Sequence, residues 1–381
     1  MRPLAVIQNG YLAVYDATTG QQREWKESRS RPLQALCLEF SPDGETLAVG
    51  FQDGSVRLFA ADTGQALFEP EGHHGIITSL TVSSNGRQIA SAGFDGSVCL
   101  WDVATSKLSR RIDAHIETIY DLEFLQDGAV LATASRDQLV RLWDVKTGKK
   151  LHEMRKHLHP VLTLAAHPDG IHLASSGADR KILIWNTKTQ EERKSVDGHD
   201  GDILCLCYSP DGRTIAVGTR AAHIDGVILW DVETGKKSKN IKVADNGCKV
   251  IDVRFTADGT RLLFAIRDGG QDAVRIWDFK QGRLSHQPFS TTTEETRVAC
   301  QPQGRIWARS IGDGWNFVHD THYGIEEQQF RFGPKPRYVG DIAFTPDGRH
   351  LVSGLASGAI CILRLRQWEP EMKKPSEEFF D

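Results

Sequence analysis

No apolar run in these 381 residues approaches the ~18 needed to cross a bilayer, and no helix-length amphipathic pattern appears. The opening "MRPLAVIQNG" has one Arg and a short apolar stretch cut off by Asn9-Gly10, too little for a signal peptide. Basic excess is missing as well. Lys and Arg number 46 against 50 Asp and Glu, a formal charge of −4, so there is no electrostatic footprint for sequence-independent nucleic-acid binding. G-x-S-x-G and Walker A patterns are absent, which removes two common hydrolase and nucleotide-binding signatures. The seven cysteines, Cys37, Cys99, Cys205, Cys207, Cys248, Cys300 and Cys361, form no C-x-x-C and lie mostly in apolar runs. Free thiols in a reducing, cytoplasmic compartment are therefore expected. Cys205 and Cys207 share a strand face, but two thiols without further ligands make a poor zinc site. No metal and no cofactor is expected.

What the chain does have is repetition. "SPDGETLAVG" at 41–50 returns as "SPDGRTIAVG" at 209–218. The same turn phrase ends at Gly44, Gly86, Gly128, Gly170, Gly212, Gly259, Gly304 and Gly348, with four intervals of 42 residues followed by 47, 45 and 44. A period sustained over eight units is the signature of a repeat architecture. Each unit carries a short apolar strand such as "ITSLTV" (77–82), the Gly turn, and a second strand, "QIASAG" (88–93). An almost wholly apolar third strand follows, "SVCLWD" (97–102), and then a polar fourth, "KLSRRI" (107–112). Four antiparallel strands whose polarity rises at the last one fit one blade of a β-propeller, read from its inner edge outward.

The third strands end "LWDV" (100–103 and 142–145), "IWNT" (184–187), "LWDV" (229–232) and "IWDF" (276–279), and on these motifs the sequence resembles the WD-repeat family. The resemblance covers roughly residues 1–366 and implies an all-β propeller domain there, followed by a tail, 367–381, expected to be disordered. Three successive units carry a set with fixed spacing: His73, Ser91, Asp95, Trp101; His115, Thr133, Asp137, Trp143; and His157, Ser175, Asp179, Trp185. In the family resembled, the Asp bonds the His, the His bonds the hydroxyl, and the hydroxyl reaches the Trp N–H. A Ser, a His and an Asp together suggest a nucleophilic triad, but a set that recurs with the blade period and ends on a Trp is structural instead. The later units depart: Val217 takes the hydroxyl position beside His199 and Trp230, Trp277 has no obvious His, and His319 and Leu363 stand where Trp would.

Eight blades are expected, with the N-terminal fourth strand "QQREW" (21–25) completing the final one. Nine blades, or a thickened closing blade, are the alternatives left by the hairpin 4–16. In such a fold, function belongs to the loops around the channel mouth. Two neighbouring units lengthen a loop there by three residues, 218–227 and 266–274, gathering Arg220, His223, Arg267 and Asp272. Phe51, Phe94, Tyr120, Arg136 and His159 fall on the same expected face, where aromatics and Arg dominate contact energy. The function that follows is a non-enzymatic scaffold or adaptor. It binds protein or peptide partners on the channel-mouth face, as a subunit of a larger complex, with no membrane and no nucleic acid. A propeller enzyme (glycosidase or quinone-dependent dehydrogenase) and an RNA or modified-peptide reader are the competing classes.

Overall fold

The computed structural model describes residues 72–105, 107–197, 199, 201–220, 226–242, 248–268, 271–284, 289–291, 297–300, 306–310, 315–320, 326–331, 339–355 and 360–365, with strand backbone at 3–8, 11–16, 22–23, 35–40, 46–51 and 56–60. Among these residues the only helical element is a 3-10 turn, Gln126–Gly128. Everything else regular is antiparallel strand.

Sheet I comprises Ile77–Val82, Gln88–Gly93, Ser97–Asp102 and Lys107–Asp113, paired in that order. Sheets II and III repeat it, with first strands Ile119–Leu125 and Val161–Ala166 and fourth strands Lys150–Met154 and Glu191–Val196. Sheet IV runs from Asp202–Tyr208 to Lys237–Lys242, and sheet V from Lys249–Phe255 through Arg261–Asp268 and Gln271–Asp278 to two short outer strands. Sheet VI spans Arg297–Cys300 to Glu326–Arg331, and three-stranded sheet VII is Val339–Phe344, His350–Leu355 and Ile360–Arg364. In each described inner turn the Gly supplies the positive φ that closes it, +69° at Gly86 and +71° at Gly212. In sheets I to IV the third strands are mostly buried and the fourth strands mostly exposed or half-buried, as in Ser97–Asp102 against Lys107–Asp113.

The sheets pack face to face, and each junction has its own apolar cluster. Leu100 of sheet I meets Leu122 and Trp143 of sheet II, and Leu142 meets Leu164 and Trp185. Ile184 meets Leu206 and Trp230, and Leu229 meets Val253 and Phe264. Beyond these, Leu263 packs on Trp307, and Ala308 on Ile342. The last cluster joins Val352 of sheet VII to Leu80, Ile89 and Trp101 of sheet I. The described packing therefore closes a ring over seven sheets, I to VII.

Two sequence expectations are corrected by this closure. The unit counted first forms a separate three-stranded sheet, Ala35–Phe40, Thr46–Phe51 and Val56–Ala60, which neighbours Pro3–Gln8 and is not one of the seven, so eight is not the number of sheets in the ring. Nor does the N-terminal fourth strand complete sheet VII. Gln22–Arg23 pairs with Tyr11–Asp16, the strand next to it in sequence, where loop closure has the smallest entropic cost.

A second periodicity lies at the ring's inner edge. Ser79, Asp121, Thr163, Cys205, Asp252, Arg297 and Asp341 each stand seven residues before the turn Gly of their unit. An inner strand has no strand partner across the channel, so its neighbour's side chain supplies one. Asp121 accepts the N–H of Leu164 (2.7 Å), Thr163 that of Leu206 (3.2 Å), Asp252 that of Val298 (3.1 Å) and Asp341 that of Leu80 (2.9 Å). Ser79 donates to Asp121 (2.9 Å), and the Cys205 thiol points to the carbonyl of Val250 (3.7 Å). In six of the seven sheets a β-bulge precedes this residue and turns it onto the neighbour.

Asp341→Ala removes the acceptor shared by the N–H groups of Leu80 and Ile342 and is expected to destabilise by ~1–3 kcal/mol, whereas Asp341→Asn keeps an oxygen there and loses less. Urea unfolding monitored by Trp fluorescence checks this; equal midpoints for Asp341→Ala and the parent would remove the interpretation of Asp341 as a lock.

Candidate functional site

The bulge that re-aims the locking residues also pushes one extra residue per strand toward the axis. Thr78, Tyr120, Leu162, Leu204 and Ile251, each immediately before a locking position, line a cavity of about 350 Å³ at the channel mouth. Phe94, Arg254, Arg267 and Arg297 complete its wall, with Asp121, Asp252 and Asp341 around it. Every one of these carboxylates already accepts main-chain N–H groups. Asp252 in addition lies 3.5 Å from Arg254 Nε. Asp252's charge holds the Arg254 guanidinium well above its ordinary pKa despite burial. Burial pushes the Asp341 carboxyl up to about 6, with Arg254 opposing. Glu123, one step further down the channel, is pushed up to about 8 by burial and by the charge of Asp121.

Sequence reading missed Asp121, Glu123, Asp252, Arg254 and Asp341. The signal was available: "IYDLEFL", "KVIDVRF" and "VGDIAF" place charges inside strands otherwise apolar, at one distance from the turn.

Of the residues expected at the mouth, Phe94 is 55% exposed in the turn between second and third strands of sheet I, and Tyr120 is half-buried in the cavity wall. Arg136 and His159 are exposed, and Arg136 lies 3.9 Å from Glu117. Strand ends that flank the two lengthened loops are linked through Lys249. Arg220, at the end of its strand, pairs across the sheet boundary with Lys249, fusing sheets IV and V. Lys249 pairs with Arg267, and Arg267 with Asp272. His223, and the side chains of Phe51 and Asp272, lie outside the described residues.

The three His–hydroxyl–Asp–Trp sets run from the mouth-side loops into the sheet cores. His115 Nδ1 lies 2.9 Å from Asp137 and Nε2 2.8 Å from Thr133 Oγ1, which accepts the Trp143 N–H at 3.0 Å. In sheet I the corresponding distances are 3.2, 2.8 and 2.9 Å, and in sheet III 2.6, 2.7 and 2.8 Å. The neutral imidazole fits this polarity. Nδ1–H donates to the carboxylate, Nε2 accepts the hydroxyl proton, and the hydroxyl oxygen accepts the indole N–H. Burial holds His115 below its ordinary pKa, against the raising pull of Asp137. Burial would raise Asp95, but the His73 bond and charge, with the His74 N–H, outweigh it and hold the carboxyl well below the usual range.

Beyond sheet III the sets change. In sheet IV, Val217 leaves Trp230 Nε1 without an acceptor although the His199 ring lies 5.0 Å from the indole, tilted by 47°. Sheet VI substitutes a different pair: Arg309 takes the hydroxyl position, and its Nε donates to His319 Nε2 at 3.1 Å. His319 stacks on Trp307 at 4.3 Å, and burial followed by the charge of Arg309 depresses its pKa to about 3.

One group among the described residues has ligand atoms close enough to share a cation: His167, Asp169 and His172, within 4.8 Å of one another, in the turn at the opposite end from the mouth. Their valences are used locally. Asp169 accepts the N–H groups of Ile171 and His172 and bonds His172 Nδ1 at 2.6 Å, while His167 Nε2 faces the carbonyl of Gly212. His167 occupies the place that Ser209, Thr256 and Thr345 hold in sister turns, where a hydroxyl bonds the turn carboxylate.

Compared with known families, the chain matches the model described as WD domain, G-beta repeat over 64–102, 106–144, 148–186 and 190–231. It also matches the model of the anaphase-promoting complex subunit 4 WD40 domain over 17–73. No curated protein matches the chain. The matched repeats straddle the sheets: 106–144 opens on the fourth strand of sheet I and closes on the third strand of sheet II.

Val217→Thr supplies Trp230 Nε1 with an acceptor and is expected to stabilise by ~1 kcal/mol; an unchanged or lower urea midpoint counts against this. The pH dependence has two opposing parts. His115 and His319 have lowered folded pKa values, so the unfolded chain binds more protons and stability falls as pH drops below about 6.5. Glu123 has a raised one, so its penalty grows as pH rises from about 4.5 to about 8. Glu123→Gln is therefore expected to stabilise at pH 8.5 and to converge on the parent near pH 4.5, as read by melting temperature across that range.

Proposed function

Because this chain belongs to the WD-repeat family, we propose that it is a non-enzymatic scaffold that receives protein or peptide partners on the channel-mouth face of its propeller. One observation carries this reading. Four large apolar side chains are exposed among the described residues, and three of them, Phe94 (55%), Ile116 (92%) and Leu158 (71%), sit on loops at the mouth end. Single exposed apolar residues are ordinary, but a group on the loops of one end, with Phe94 among them lining an open cavity, is the pattern of an interaction surface. Tyr120, Leu162, Leu204 and Ile251 extend it into the channel.

The similarity of residues 17–73 to a subunit of the anaphase-promoting complex supports a place in a multi-subunit assembly. The cytoplasm is the compartment proposed. Cys99, Cys205, Cys207, Cys300 and Cys361 form no disulfide among the described residues, as in a reducing environment. No described helix is long and apolar enough to cross a membrane. The cavity's carboxylates hold inner-strand N–H groups, so they are committed to the ring, and this weighs against a pair serving as acid and base in glycoside hydrolysis.

The test is a comparison of native co-purification by the parent and by Phe94→Asp/Ile116→Asp/Leu158→Asp. Specific partners are expected to drop at least tenfold while the melting temperature moves by less than about 2 °C, since exposed sites contribute little to stability. Full recovery of every partner by the triple variant would place the interaction elsewhere.

A further inference from the structure

We propose that the mouth recognises a peptide carrying anionic side chains next to apolar ones. This rests on the mouth being the partner face and adds the chemistry of the ligand.

The argument starts from the cross-strand row Arg220, Lys249, Arg267. Each is the direct register partner of the next. Like charges placed opposite one another on neighbouring strands destabilise a sheet, and here two such pairs stand in line. Acids bracket the row, Asp202 opposite Arg220 and Asp272 opposite Arg267, which leaves Lys249 at the centre with a cation on either side. The bridge that aligns them joins two sheets at the rim, where sheets of this fold otherwise stay separate.

The row does not end at the rim. Arg267 lines the cavity, and so does Arg297, which stands at the locking position of sheet VI where its counterparts in sheets II, V and VII are Asp. The negative charges of the same cavity face sideways into the ring: Asp121, Asp252 and Asp341 are each held by main-chain N–H groups of the next sheet, and Asp252 also faces Arg254. A ligand approaching from solvent thus meets cations on the side of sheets IV to VI. On the side of sheets I to III it meets Phe94, Ile116, Leu158 and Tyr120. An anion over Lys249 relieves the repulsion along the row, and an adjacent apolar side chain buries against Phe94 and Tyr120. Carboxylate and phosphate share the required chemistry, since both accept from guanidinium groups.

The experiment pans a display library of random 12-residue peptides against the full-length protein, then measures labelled versions of the recovered peptides by fluorescence anisotropy. Recovered sequences are expected to be rich in Asp and Glu beside Phe, Leu or Ile. Affinity is expected to fall at least tenfold for Lys249→Glu/Arg267→Glu, to fall for the exposed Arg220→Glu, and to weaken as NaCl rises from 50 to 300 mM. Lys188→Glu, in an exposed turn at the opposite end, is expected to change nothing. Replacing each acidic residue by phosphoserine separates the two anion sources, the tighter series identifying the natural one. Recovery of Lys- and Arg-rich peptides, or equal competition by oligouridine, would overturn the proposal. Peptide binding that responds to Phe94→Asp but ignores Lys249→Glu/Arg267→Glu would overturn it too, while sparing the mouth as the partner face. Peptides indifferent to both substitutions would remove the face itself.

Discussion

The inner edge of the ring is the constraint on which the rest depends. Seven first strands face a channel with no strand across it, and a buried N–H without an acceptor costs as much as a lost hydrogen bond. The chain answers with one residue per sheet at a constant distance from the inner turn, in six of the seven sheets bulged so that it reaches the neighbouring strand. Because such bonds cross six of the seven junctions, each running from one sheet to the next, the last sheet must find the first. Asp341 on Leu80, with the apolar cluster of Val352 and Trp101 behind it, closes the circle.

That solution shapes the site. A bulge inserts a residue, and the inserted residues are the ones that line the cavity at the mouth. Rigidity and recognition therefore come from adjacent positions of the same strand, one turned sideways into the ring and one toward the axis. The Asp, Glu and Arg groups at the channel wall belong chiefly to the first task, which is why their shifted titration reports burial and ring contacts.

The polar networks divide the ring. Sheets I to III each hold a complete His–hydroxyl–Asp–Trp chain, in which every donor has an acceptor. Sheets IV to VI replace it with Val217, with Phe264 and with the Arg309–His319 pair, and sheet VII keeps Ser353 but has Leu363 in place of the Trp. The exposed apolar residues lie over the first group. The fused sheets and the cationic row lie in the second, where longer hairpins and the relaxed network allow Arg220 and Lys249 to bridge two sheets. The two halves of the mouth thus differ in chemistry because they differ in what holds them below.

Periodicity alone determined the class of fold, the order of strands within each sheet and the positions of His73, Ser91, Asp95, Trp101 and their equivalents, because a 42-residue repeat stamps the same local chemistry each time. The charges within "IYDLEFL" and "KVIDVRF" were equally periodic, but their meaning was not legible: a side chain that bonds the strand of the next sheet leaves no local mark. Sheet number was likewise beyond reach. Eight turn phrases are present, yet ring size follows from how each sheet packs on its neighbour, and seven close. The pairing of Arg220 with Lys249 across two sheets, and the fate of the N-terminal strands, were decided by tertiary contact, since they turn on which edge lies nearest in space rather than on which residues adjoin in sequence.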